Sequence, residues 1–205
     1  MKQKTTQLLY AYWNELRAGR LAPKRLEIEP SRIGSILAET FMLERESASS
    51  YRYRLAGTRL CEVLGLELRG TNLLDGWSGP DRAAIAGHLT ATCEQGAATL
   101  LTLEAGEGAR RVQLEAILLP LLQPEETVGR VLGAMSPLTS PHWLGHERLL
   151  EKRLIKHELV WPDGRPHALI KRSGRPVPFS AGQTARAAPA VWRNFRVLEG
   201  GRGKG

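Results

Sequence analysis

Cysteine is scarce in this chain. Cys61 and Cys93 are the only two in 205 residues, they lie far apart, and they form no CxxC pair. That argues against a disulfide or zinc framework and fits structural thiols in a reducing cytoplasm. Long apolar runs are missing as well: none approaches the roughly 18 residues that a membrane span needs. The N-terminal stretch MKQKTTQLLYAYWNELRAG has no uninterrupted apolar core and no small-residue cleavage site, so no signal peptide is expected. The cytoplasm is the expected location, with no membrane partner. Catalytic signatures are lacking too. There is no GxSxG, no HExxH, no GxxxxGK[ST] or GxGxxG at a strand–helix junction, and no paired carboxylates with a recognisable spacing. The expectation is a protein without an enzymatic activity of its own.

What is present is an ordinary globular composition, 42% hydrophobic and 24% charged, with a net charge of +8. The charge is unevenly spread. Residues 1–137 hold 16 Lys+Arg against 16 Asp+Glu, and residues 138–205 hold 13 against 5. The basic character therefore belongs to the C-terminal third.

The pattern divides the chain into an N-terminal helical segment (1–37), a central domain (38–140) and a basic Pro/Gly/Arg-rich extension (141–205). Residues 3–18 form an amphipathic helix with Leu8, Leu9, Tyr12, Trp13 and Leu16 on one stripe. It is expected to pack on its own domain, a dimerisation helix being the alternative. A short helix follows from Pro30 or Ser31. Residues 40–46 and the alternating run from Tyr51 make a hairpin, with Tyr51, Tyr53 and Leu55 facing one way and Arg52 and Arg54 the other. Thr58 starts a short helix, Gly65 ends it, and a longer helix runs from Asp81 to Gln95. Three strands follow, over 98–105, 111–119 and 128–135. This is an α+β domain: a five-stranded antiparallel sheet with helices on one face. Residues 143–157 carry a weak helical stripe. The Pro/Gly/Arg-rich remainder buries too little apolar surface to offset its ordering entropy, so the tail is expected to be partly disordered.

The segments YWNELRAGRLAPKRLEIEPSRIGSILAETFMLERE and YRYRLAGTRLCEVLGLELRGTNLLDGW, with GAMSPL and PHWLG further on, resemble the alphaproteobacterial PAS family labelled PAS_5. The likeness covers about residues 8–145. It implies the PAS fold and a sensory or regulatory module of bacterial signalling. Homodimers, a signalling protein partner and an interior that can take a small ligand come with it.

Five residues are candidates for the pocket: Met42, Tyr53, Trp77, His88 and Cys93. Met and aromatic residues at strand spacing are more often plain core. The resemblance allows His88, on the long helix, to be a haem ligand; the sequence favours a half-exposed, hydrogen-bonded histidine instead. The cofactor is otherwise unknown. No NCRFLQ-like segment accompanies either cysteine, which argues against a flavin photosensor, and a buried thiol is usually inert. The basic tail offers a second function, sequence-independent nucleic-acid binding, with Trp161, Phe179, Trp192 and Phe195 available for stacking. A solvated tail is the favoured reading, because no recognition fold accompanies the charge.

Overall fold

The structure, a computed structural model, describes residues 1–124, 127–165 and 167. Its elements are α1 (Lys4–Arg17), 3₁₀ turns at Arg25–Glu27 and Pro30–Glu39, β1 (Thr40–Ser47), β2 (Ser50–Ala56), α2 (Thr58–Leu64), α3 (Gly79–Gln95), β3 (Ala98–Glu107), β4 (Arg110–Leu122), β5 (Val128–Pro137) and β6 (Lys152–Val160). All pairings are antiparallel, in the order β2-β1-β5-β4-β3-β6. Among the described residues the sheet thus has six strands, not five. The sixth lies where the sequence suggested a helix. Lys152–Val160 is too charged to build a core alone, but as an edge strand it needs apolar residues on one side only. Its pairing with β3 slips between Thr102 and Leu103. That break blurs the two-residue period that would have marked it as a strand.

The expectation of helices on one face is also corrected. Leu114, Ala116 and Leu118 of β4 lie toward α3, as their alternation suggests. Glu115 on the opposite face is only 2% exposed, because α1 covers it. Its carboxylate accepts hydrogen bonds from the Lys2 and Gln3 amides (2.8–2.9 Å) and the Thr6 hydroxyl (2.5 Å), satisfying donors at the start of α1. Trp13 is fully buried, and its indole N–H donates to the Pro120 carbonyl at 2.8 Å. The α1 stripe therefore packs on its own sheet. Leu8, the outlying member of that stripe, is 40% exposed.

The β2 alternation holds only in part. Leu43 pairs with Tyr53 but Met42 pairs with Leu55, so one extra residue bulges from β2. Tyr51 and Tyr53 stay inside, whereas Leu55 is 55% exposed. The outer edge of β2 is not left open. Tyr53 and Leu73 donate their amides to the Thr71 and Tyr51 carbonyls, Gly70 donates to Tyr53, and the Asn72 side chain accepts from the Tyr51 amide. Segment 70–73 is thereby pinned against the sheet like a fragment of a further strand.

Candidate functional site

Between the α2–α3 connection and the sheet lies a cavity of about 270 Å³. Tyr53, Leu103 and Met135 form its floor on the sheet. The end of α2 and the pinned loop, Leu64 to Trp77, form one wall. The third side comes from Leu149, Leu150 and Lys152, at the entry to β6. Local geometry makes that closure possible. The Leu149 amide donates to the Leu64 carbonyl at 2.9 Å, and Leu149 is 2% exposed. Gly65 ends α2 with φ +65°, and a Cβ there would stand 2.5 Å from the Glu147 carbonyl oxygen. Only a glycine lets the two backbones approach so closely.

The polar groups around this cavity are unequal. Glu67 accepts from the Arg69 amide, Asp75 accepts from the Asn72 side chain, and both are exposed. The Thr71 hydroxyl donates to the Leu68 carbonyl. Lys152 reaches in from β6: its ammonium lies 5.2 Å from the centre of the Trp77 ring and donates to the Asp75 carbonyl at 2.9 Å. Burial pulls its pKa below the ordinary lysine value, with Asp75 opposing. Tyr53 is 4% exposed, and burial raises its phenol pKa.

Of the five sequence candidates, Tyr53 and Trp77 share the cavity wall. The other three do not. The pairing register puts Met42 beside Leu132, on the face opposite Tyr53 and Leu43. Cys93 is buried toward the β1–β2 hairpin beside Tyr51 and Arg45, and burial pushes its thiol up to about 11. At neutral pH it stays a protonated, poorly nucleophilic thiol. His88 is half-buried on α3, its Nε2 2.5 Å from Nδ1 of His157 on β6, with its own Nδ1 buried and unpartnered. Burial first, and the neighbouring imidazole second, lower its pKa. These residues do not fit a haem: the imidazole is engaged by His157 and does not line the cavity, which falls below the about 300–1,000 Å³ usual for sites of larger ligands.

Leu149 and Lys152 were read from the sequence only as members of a weak helical stripe, not as site residues. Their signal was a short strand at the head of a stretch whose composition reads as a tail. A wider and more polar cleft of about 590 Å³ adjoins the cavity along Asp81, Glu104, Arg111 and Arg153. It carries charges of both signs and no organised set of ligands.

The PAS domain family PAS_5 matches residues 1–136. The chain belongs to that family. PAS domains are sensory or regulatory modules, typically non-catalytic, and often dimerise and bind ligands. The PAS match stops before Leu149 and Lys152, so the cavity's third side comes from outside it. No curated protein matches the chain. Among solved structures it is similar to a LOV protein of Rhodobacter sphaeroides, at 13% identity over 56% of this chain and 71% of that one, TM-score 0.40. An RNA-binding light-oxygen-voltage receptor is 14% identical over 57% of this chain and 36% of its own, TM-score 0.41. The PAS domain of an HTR-like protein from Haloarcula marismortui is 18% identical over 56% and 95%, TM-score 0.38. Likenesses this distant transfer no residue role to the PAS chain. Among the described residues no helix is long and apolar enough to cross a membrane.

Proposed function

We propose that this PAS protein is a non-catalytic, cytoplasmic module of bacterial signalling that senses a small molecule and passes the signal to a protein partner as a homodimer. The observation that carries this reading is the cavity over Tyr53 and beside Trp77, closed by a strand from beyond the family match. Occupancy there bears directly on whether β6 stays docked, and β6 belongs to the C-terminal extension. In this proposal the chain works as a helical segment (1–37), a PAS domain (38–140) and an output extension (141–205). Tyr53 and Trp77 are its ligand-facing residues, and Met42, His88 and Cys93 serve packing and the α3–β6 contact. Native mass spectrometry of freshly purified protein tests it. A dimer carrying a small-molecule adduct supports the reading. A monomer with no adduct, whose melting temperature no small molecule shifts, overturns it.

A second reading, nucleic-acid association, is favoured by one specific observation. Residues 168–205 hold eight Lys+Arg against one Glu, so seven of the eight net charges lie there. Phosphate-backbone binding by such a segment falls steeply with salt. Ending the chain after His167 keeps β6 and is expected to abolish retention on DNA at low salt if this reading holds. Unchanged retention discards it.

A further inference from the structure

The cavity's polar groups point to the class of molecule it accepts, an inference that rests on the ligand-sensing reading above. Glu67, Asp75 and Thr71 are held by loop partners, and both carboxylates face solvent. Two groups are left with unused hydrogen-bonding capacity. The Lys152 ammonium has three donors and makes one hydrogen bond among the described residues, to the Asp75 carbonyl. Tyr53 is part of the cavity floor, and its hydroxyl makes no hydrogen bond to the described residues. A ligand atom that pairs with either group adds a hydrogen bond without breaking one within the protein. Leu64, Leu68, Leu73, Leu103 and Trp77 line the cavity with them. They suit a flat apolar body and nothing charged.

We infer that the cavity binds a small aromatic carboxylic acid, its carboxylate on the Lys152 ammonium, its ring against Trp77 and the leucines, and a polar substituent at the far end on the Tyr53 hydroxyl. The volume limits the ligand to a single ring with short substituents. An ammonium drawn over an aromatic face and partly stripped of water forms a strong charge-assisted pair with a carboxylate. A neutral isostere gains less from it. Because Lys152 begins β6, such a ligand ties the edge strand to the loop of residues 64–77.

The test is calorimetric titration of the full chain with 4-hydroxyphenylacetate, its neutral isostere 4-hydroxyphenylacetamide, and benzyl alcohol. The acid is expected to bind about tenfold tighter than the amide. Lys152→Met keeps the stem and its packing while removing the charge, and is expected to erase the difference between acid and amide. Tyr53→Phe is expected to weaken both by a similar factor. If the amide or benzyl alcohol binds as well as or better than the acid, or if Lys152→Met leaves the preference intact, the acid class is wrong and the ligand-sensing reading stands. If none of the three binds while circular dichroism shows the protein folded, the acid class is wrong, and the ligand-sensing reading is decided by the native mass spectrum.

Discussion

Gly65 shows how much of the site depends on a single residue. Its left-handed conformation ends α2, and its missing Cβ admits the Glu147–Arg148 backbone. Gly65→Ala is expected to cost about 1–3 kcal/mol from the backbone conformation, with a further loss from the clash. It should lower the urea midpoint and loosen residues 147–152 in hydrogen exchange. The glycine was readable in the sequence as a helix stop, because the short apolar run before it and the next glycine after it framed a turn. Its second role was not, since nothing local indicates that a segment more than 80 residues away packs on that turn. Tyr53 and Trp77 were chosen as pocket candidates for their residue type, and both line the cavity, Tyr53 from the middle of β2 and Trp77 from the connection before α3. Met42 was misplaced because strand alternation fixes which residues share a face without saying which face carries the helices.

Among the elements, the first five strands, α1 and α3 followed from periodicity, and the hairpins from their turn residues. β6 did not. Its residues alternate only up to the slip opposite Thr102 and Leu103, and its apolar content is low. Its contact with α3 runs through His88 and His157, and that contact has a pH dependence of definite sign. The folded state depresses the pKa of His88 below 6.5, so the unfolded chain binds the extra proton first. The stabilisation is complete above about pH 6.5 and is lost as pH falls through the lower folded value. The melting temperature is therefore expected to fall between pH 8 and pH 5. His157→Phe removes the facing imidazole and should flatten part of that slope. A slope unchanged in His157→Phe would mean that other groups carry it.

For the whole molecule, the sheet has two edges with different fates. The β2 edge is closed by segment 70–73, whereas the outer edge of β6 meets Trp77 and Asp81 at its start and carries Lys152, Arg153, Lys156 and Glu158, charges that discourage strand addition. The basic charge attributed to the last third of the sequence is sharper than it first looked. Residues 138–167 carry five Lys+Arg against four Asp+Glu, so nearly all of the excess sits beyond His167. The expected disorder of that stretch lies outside the described residues. Residues 1–167 are therefore almost neutral, and the two proposed functions draw on separable segments. The account depends most on β6 being docked, since the cavity has its third side only then. Hydrogen exchange of residues 149–160 measures this directly in the full chain. Amides of β6 that pair with β3 are expected to be protected to a level approaching that of β3 itself. Exchange at the rate of a free peptide would contradict the account, leaving a five-stranded sheet whose groove lacks its third side.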